Sequence, residues 1–213
     1  MKRIILFFLL FYSKFLIAST PLGNVTADAL VLSDGWQMRE SAVCGNDGER
    51  FSGNDTRACV ATKDWYTSSV PATALGVLVD HGVYPNPYIG MNVMQIPDAS
   101  NEFNEKYGLA KYTHLPDGEN PWAKPYWFRN EFQLPASYSG KTVWMNLDGI
   151  NYRADVWLNG KKLAGKDKIA GMFHRFRLDI SEYVKVDEQN VLAICIYPLD
   201  HPGNPVHAQI DGL

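Results

Sequence analysis

The chain has 213 residues, 46% of them hydrophobic, which is enough apolar material for the core of one domain. Its formal net charge is −3 with a pI near 5.9, and no stripe of lysine and arginine alternates with aromatic residues. Such a surface does not attract a phosphate backbone, so nucleic acid is excluded as an expected partner.

The first 19 residues have the three parts of a secretory signal peptide. Two basic residues follow the first methionine, an apolar run comes next, and Ala18 or Ser19 is small enough for cleavage. The apolar run is interrupted by a lysine and is shorter than the roughly 20 residues of a membrane-spanning helix. We therefore expect cleavage of residues 1–19, a secreted or periplasmic protein without a membrane partner, and a mature domain over residues 20–213.

Residues 34–43 are predicted to form the first strand, which ends at Cys44. Cys44 and Cys59 flank GNDGERFSGNDTRA, a loop that is long enough for its ends to meet. Because export makes disulfide chemistry available, we predict that these two cysteines pair. In the chain-entropy model the loop closure would stabilise the domain by about 3 kcal/mol.

A short helix is predicted after Pro71, because Leu75, Leu78 and Val79 share one face and Gly82 can end the helix in a left-handed cap. We expect this helix to close one end of the sheet structure. The following stretch, residues 83–125, is rich in proline and turn-forming residues and is predicted to be a long irregular connection. Long ordered loops are uncommon unless they carry a function.

Alternating patterns after this connection predict strands. In YWFRNEFQL the residues Tyr126, Phe128, Phe132 and Leu134 fall on one face. The string KTVWMNLDGINYRADVWLNGKKL predicts strands over residues 143–147 and 150–158 and, at its Asn-Gly pair, a type I′ hairpin turn.

Two more strands are predicted near the end of the chain. Phe176, Leu178 and Ile180 alternate with charged residues in MFHRFRLDI. VLAICIY is apolar on both faces and is predicted to be a central strand covered from both sides. Cys195 within it is therefore predicted to be a free core thiol.

Many short strands, frequent turns and one short helix predict an all-β fold, an antiparallel β-sandwich or jelly roll. No cysteine and histidine spacing is typical of zinc, and no phosphate-binding or nucleophile motif occurs. We therefore expect no metal and no cofactor.

Three strings, PYWFRNEFQLP, LDGINYRADVWLNGKKL and GMFHRFRLDIS, resemble the N-terminal sugar-binding domain of glycoside hydrolase family 2. The resemblance runs from about Gly35 to the C-terminus and is closest to the branch of exo-β-D-glucosaminidases and β-mannosidases. It implies a jelly-roll β-sandwich of the galactose-binding-domain-like type, which in the family precedes an immunoglobulin-like domain and a TIM barrel.

The resemblance also implies that this chain alone is inactive. Family enzymes carry both catalytic glutamates on the barrel, and this chain is too short to add a barrel of about 250 residues. The Trp-Asp-Trp segment and the Gly-Ile-Trp-like strand with which this branch finishes its first domain are not found. We therefore expect a fragment that lacks its last strands and whose partners are the missing immunoglobulin-like and barrel domains.

The resemblance implies two residues of a sugar pocket. In family β-galactosidases an asparagine soon after the aromatic part of the long connection reaches the pocket of the terminal sugar, and Asn92 of YIGMN is the matching position. Tyr88 is its expected neighbour. Alternatively, Asn92 caps a turn, and the sequence leaves both interpretations open.

Glycoside hydrolysis needs two carboxyl groups facing each other, about 5 Å apart when configuration is retained. The candidates lie in predicted strands or at their ends, where a solvated face, a turn or an ion pair with a nearby arginine accounts for them: Glu131, Asp148, Asp155 and Asp179. No catalytic residue is assigned.

Two functions are carried forward. In the first, the chain is the N-terminal part of a secreted exo-acting β-glycosidase and supports the pocket for the terminal sugar of a β-linked oligosaccharide. In the second, it is a stand-alone carbohydrate-binding or structural module without catalysis, in which an exposed tryptophan such as Trp144 or Trp157 stacks on sugar rings.

Overall fold

The computed structural model describes residues 24–26, 29–53, 64–97 and 120–198. Within these ranges the chain forms ten strands, and every pair of neighbouring strands is antiparallel. The strands are β1 (Asn24–Thr26), β2 (Ala29–Val31), β3 (Trp36–Glu40), β4 (Tyr66–Ser68), β5 (Tyr126–Gln133), β6 (Trp144–Leu147), β7 (Arg153–Leu158), β8 (Lys161–Ala164), β9 (Phe176–Asp179) and β10 (Gln189–Tyr197). The predicted all-β antiparallel fold is confirmed.

Six strands make the main sheet, in the order β4-β3-β5-β10-β7-β8, while β6 pairs with β9 and β1 with β2. β10 therefore lies in the centre of the main sheet, between β5 and β7. Five of its successive side chains, from Val191 to Cys195, are buried. The predicted central strand covered on both faces is confirmed, as is the buried free thiol of Cys195.

The larger core fills the space between the main sheet and the β6–β9 sheet. Met38, Phe128 and Ile194 lie side by side on neighbouring strands and face this core. Half-buried side chains of the β6–β9 sheet pack against the same cluster: Met145, Leu147, Phe176 and Leu178. The main sheet and the β6–β9 sheet thus pack against each other through apolar faces and form a sandwich.

The structure contains more helix than predicted. Within the described residues there are three α-helices, α1 (Ser41–Cys44), α2 (Gly48–Ser52) and α3 (Ala74–Asp80), where the sequence predicted one. α3 is the predicted helix: it packs Leu75 and Leu78 into the larger core. The prediction of a single helix was wrong because helices as short as α1 and α2 carry too few residues for an apolar period.

α1 and α2 cover the outer face of the main sheet. The Asp47 side chain caps α2 by accepting a hydrogen bond from the backbone N–H of Arg50 (3.0 Å). Phe51 then lies edge-on to Trp127 of β5, with ring centroids 5.1 Å apart, in a second cluster that includes Cys195. This face is therefore buried as well.

The predicted hairpin at residues 159–160 is confirmed, since Asn159 and Gly160 have φ values of 50° and 81° and connect β7 to β8. The preceding strand begins three residues later than predicted, at Arg153 instead of residue 150. β6 and β7, adjacent in the chain, belong to different sheets.

Cys44 has a free thiol in the structure, and its sulfur donates a hydrogen bond to the carbonyl oxygen of Glu40 (3.2 Å). Cys59 lies outside the described residues, so the pairing of Cys44 with Cys59 stays a prediction. Among the described helices, none is long and apolar enough to cross a membrane.

Candidate functional site

A cavity of about 280 Å³ opens at one end of the sandwich. It lies between the start of α3, the 3₁₀ helix Pro121–Ala123, the start of β5 and the end of β10. Aromatic side chains make up much of its wall: Trp122, Tyr126, Phe128, Tyr152 and Tyr197. An aromatic cavity with a few polar groups is the usual form of a small-molecule site.

The strand register brings these residues together. β5 and β10 run antiparallel with Tyr126 opposite Ile196, so the first residues of β5 meet the last residues of β10 at this end of the sheet. Side chains alternate along a strand, so Tyr126 and Phe128 both face the sandwich interior. Trp122 is held by its indole N–H, which donates to the carbonyl oxygen of Pro97 (2.7 Å).

Tyr126 is the unusual member of the wall. Its side chain is 5% exposed and stacks near Trp122 (centroids 6.4 Å apart, interplanar angle 24°). Its hydroxyl has no hydrogen-bond partner among the described residues. Burial holds the pKa of Tyr126 above its ordinary value, so the hydroxyl keeps its proton. A buried hydroxyl without a partner typically costs about 1–3 kcal/mol.

The cavity wall carries little charge. Lys124 is the one charged side chain among the described residues that line it, and none of them is aspartate or glutamate. Hydrolysis of a glycoside would require two carboxyl groups. The described wall therefore contains no pair of carboxyl groups.

The residues predicted for a sugar pocket lie elsewhere, in the turn of residues 86–92. Asn86 organises this turn, because its side-chain oxygen accepts from the backbone N–H of Tyr88 (3.0 Å) and its carbonyl oxygen accepts from the Asn92 side-chain amide (3.0 Å). Tyr88 is 92% exposed. The structure thus brings Tyr88 and Asn92 into one turn, outside the cavity wall, and the Asn92 amide braces that turn. Their role in a sugar pocket stays a prediction.

The four carboxylates considered for catalysis each have a partner in the structure. These partners lie on the same strand, on a neighbouring strand or in a flanking segment: Glu131 with Arg129 (2.6 Å), Asp148 with Arg175 (3.8 Å), Asp155 with Lys162 (2.9 Å) and Asp179 with the Ser181 hydroxyl (2.6 Å). Local contacts of this kind are consistent with a structural role for the four carboxylates. Over the described ranges, no group of three or more potential metal ligands is found.

Sequence reasoning did not single out Trp122 and Tyr126. The string PWAKPYWF, with four aromatic residues within seven positions, was the available signal. It was assigned to a connection and a strand, because strand alternation says which face a side chain occupies and not what covers it.

Comparison with known proteins places the fold in a family. The family described as glycosyl hydrolase 2 galactose-binding domain-like matches residues 111–210. Mannosylglycoprotein endo-beta-mannosidase of Lilium longiflorum is 32% identical over 178 residues, which cover 81% of this chain and 16% of that protein. Exo-beta-D-glucosaminidase of Amycolatopsis orientalis is 27% identical over 139 residues, covering 65% of this chain and 11% of that protein.

A solved structure agrees with the sequence matches. The Amycolatopsis orientalis exo-chitosanase CsxA superposes with a TM-score of 0.61 at 25% identity, over 80% of this chain and 17% of that chain. The chain therefore spans less than a fifth of the length of these relatives. The predicted resemblance and the galactose-binding-domain-like sandwich are both confirmed, and the chain carries the N-terminal, galactose-binding-domain-like domain of glycoside hydrolase family 2.

Proposed function

We propose that this chain is the N-terminal, non-catalytic part of a secreted, exo-acting β-glycosidase, in which it helps to form the pocket for the terminal sugar of a β-linked oligosaccharide. The observation that carries the proposal is the similarity of the sandwich to CsxA, an exo-chitosanase, over 80% of this chain. The sequence similarity to an exo-β-D-glucosaminidase and an endo-β-mannosidase supports a glycosidase context without selecting the sugar.

The turn of residues 86–92 carries apolar side chains that suit contact with a neighbouring domain. Tyr88, Ile89 and Met91 are 92%, 62% and 57% exposed, and the braces from Asn86 hold them in a fixed turn. An exposed apolar group on an ordered turn is typical of a contact surface. In the proposed parent enzyme this turn contacts the catalytic part, which brings Asn92 to the rim of the sugar pocket.

The chemistry comes from another part of the proposed parent enzyme. An immunoglobulin-like domain and a TIM barrel with two catalytic glutamates are its proposed partners, and the predicted signal peptide directs the product to the periplasm or the exterior. The four candidate carboxylates of this domain are engaged in local contacts, which supports a non-catalytic role.

The reading frame beyond residue 213 tests the proposal directly. We expect it, or an adjacent gene, to encode a barrel with two glutamates. We also expect the purified chain to release no nitrophenol from the aryl β-glycosides of glucosamine, mannose and glucuronic acid. Turnover by the chain alone, at a rate that follows protein concentration through purification, would show that catalysis resides in this domain and would overturn the proposal.

A stand-alone carbohydrate-binding module is the second candidate. Trp144 favours it, because this residue is 43% exposed, although the Arg177 guanidinium, 4.3 Å from the ring centroid, covers one face of its ring. Trp157 does not, since its indole packs against Gly48 of α2. A stop codon after residue 213 with no barrel gene nearby, together with saturable sugar binding, would favour this candidate.

A further inference from the structure

We propose that Phe173 is a second docking point for the catalytic barrel of the proposed parent enzyme, in addition to the turn of residues 86–92. Phe173 lies on the turn of residues 171–174, which is called the second turn below, and residues 86–92 form the first turn. The identity of the occupant rests on the proposed function, while the place of the surface and its apolar character come from the described residues.

Both turns are attached to the cavity wall at one end of the sandwich. Tyr84, which precedes the first turn, lies against the Trp122 ring (centroids 5.9 Å apart), and the carbonyl oxygen of Pro97, which follows that turn, accepts from the Trp122 indole (2.7 Å). The second turn begins at Gly171, whose N–H donates to the carbonyl oxygen of Tyr152 (2.9 Å). Trp122 and Tyr152 both line the cavity, so the two turns border the same end of the sandwich.

The most exposed apolar side chains lie on these two turns. Tyr88, Phe173 and Ile89 are 92%, 91% and 62% exposed, the three highest values among the large hydrophobic side chains of the described residues. A single exposed apolar side chain is ordinary on a protein surface, whereas several at one end of a domain mark a contact surface. Aromatic side chains are also common among the residues that dominate the binding energy of protein interfaces.

The second turn is closed by a hydrogen bond but has no turn-forming residue at its centre. The backbone N–H of His174 donates to the carbonyl oxygen of Gly171 (3.2 Å), with Met172 and Phe173 between them. Turns usually carry glycine, proline, asparagine, aspartate or serine at such positions, because these residues fit the backbone angles or bond to the backbone. Local turn chemistry therefore does not account for Phe173, whereas contact with a partner would.

Three observations support the barrel-bearing part as the occupant. This chain spans 17% of CsxA, so most of such an enzyme lies outside the matched region. The main sheet connects to later residues at the same end, because Tyr197 and Pro198, at the end of β10, line the cavity. The first turn carries Asn92, which the proposed function brings to the rim of the sugar pocket. A surface that continues from the first turn to the second therefore faces the same partner.

The test compares the parent enzyme, produced from the continuing reading frame or together with an adjacent barrel gene, with this chain alone. The rate at which a maleimide labels an introduced cysteine is measured, and peptide masses separate that cysteine from the native ones. Phe173→Cys should be labelled about tenfold more slowly in the parent enzyme, because the partner must open before the reagent enters. Lys161→Cys is the control, since Lys161 is exposed beside the β7–β8 turn at the opposite end of the sandwich and should be labelled equally fast in both proteins.

A second pair of variants tests whether the two turns bind as one surface. In the parent enzyme, Phe173→Ser should speed the labelling of Tyr88→Cys about tenfold, because loss of one aromatic anchor loosens the other. Tyr183→Ser is the matched control: Tyr183 is 39% exposed, and its carbonyl oxygen accepts from the Asn159 amide at the far turn (2.8 Å). It should leave the labelling of Tyr88→Cys unchanged. Phe173→Ser should also leave the urea midpoint of the chain alone unchanged, which separates docking from folding.

A benzophenone maleimide attached to Phe173→Cys identifies the occupant, and its cross-links should reach the barrel. Three outcomes overturn the inference: equal labelling of Phe173→Cys in both proteins, unchanged labelling of Tyr88→Cys when Phe173→Ser is added, or cross-links that reach only another domain or a second copy of this chain. The proposed function fails on separate grounds, namely turnover of a glycoside by the chain alone or the absence of any encoded barrel. The absence of a barrel removes the occupant and overturns both.

Discussion

Replacing Gly48 with alanine tests how α2 seals the outer face of the main sheet. An added Cβ at Gly48 would lie 2.4 Å from two atoms of the Trp157 indole and 2.7 Å from a third. Favourable contacts between carbon atoms occur at about 3.5–4.0 Å, so the overlap exceeds 1 Å. The indole is rigid, so the ring or the whole helix must move to admit one methyl group.

The expected cost follows from two opposing effects. Overpacking a filled interior costs about 1–3 kcal/mol, and an overlap with a rigid ring belongs in the upper half of that range. Alanine forms helices better than glycine by at most about 1 kcal/mol, and this offsets part of the cost. A moved helix would also disturb the Ser52 hydroxyl, which donates to the Gly48 carbonyl oxygen (2.7 Å) and accepts from the Gly160 backbone N–H (3.0 Å). We expect a net loss of about 2 kcal/mol in the free energy of unfolding.

Urea unfolding followed by tryptophan fluorescence measures this loss. With a slope near 2 kcal/mol per molar urea, the midpoint should fall by about 1 M. Gly76→Ala in α3 is the matched control, since its added Cβ meets only the Thr73 hydroxyl, at 3.1 Å, and its midpoint should change little. Combining Gly48→Ala with Trp157→Leu should restore part of the loss as a coupling energy between the two sites. A Gly48→Ala chain as stable as the parent would refute the assigned packing of α2.

Two further substitutions and one change of pH test the same fold, and the midpoint of urea unfolding measures the stability in each case. Arg129→Met should cost about 2 kcal/mol, because Arg129 is 3% exposed and its loss removes both its hydrogen bond to the Phe51 carbonyl oxygen (2.9 Å) and its 2.6 Å ion pair with the partly exposed Glu131; an unchanged midpoint would contradict the role of these contacts. Asn190→Ala should cost about 3 kcal/mol, because this buried amide bridges the backbone of Lys185 and Glu188 to Asn159; a loss below about 1 kcal/mol would contradict that role. Burial raises the pKa of Cys195 from 9.0 to about 12, so its contribution to stability is fully present below pH 9 and is lost as pH rises towards 12. Cys195→Ala should weaken this alkaline loss, and alkylation of native Cys195 by iodoacetamide at pH 8 would contradict its burial.

The strands were predictable from the sequence because alternation reports burial directly. Phe176 and Leu178 of β9 face the core while Arg177 and Asp179 face solvent, as the pattern of MFHRFRLDI predicts. The turn at Asn159-Gly160 was equally predictable, since few residue pairs accept two successive positive φ values. These features depend only on neighbouring residues.

The outer face could not be predicted in this way. Trp127 and Arg129 alternate with core residues along β5, and the pattern alone assigns them to the opposite face without saying whether solvent covers it. Both are buried because α1 and α2 fold back over the sheet from a distant part of the chain. The guanidinium of Arg129 donates to the carbonyl oxygen of Phe51 (2.9 Å), a contact 78 positions apart that no local pattern encodes.

The candidate site, like the fold, could be predicted only in part from the sequence. The sequence placed Tyr126 on an inward-facing strand position, which is correct, but no local pattern shows that its buried hydroxyl lacks a hydrogen-bond partner among the described residues. For Asn92 the sequence left two roles open. The observed hydrogen bond from the Asn92 amide to Asn86 gives it a bracing role, and that bond does not depend on any sugar.

Variants on the two faces of the main sheet should change stability in opposite directions. Gly48 and Arg129 lie on or against the outer face, where their side chains or backbone contact other groups closely, so their replacement should lower the urea midpoint. Tyr126 lies on the inner face, and its buried hydroxyl has no hydrogen-bond partner among the described residues, so removing that hydroxyl relieves a desolvation cost. Tyr126→Phe should accordingly raise the urea midpoint, and a lower midpoint would show that the hydroxyl makes a stabilising contact.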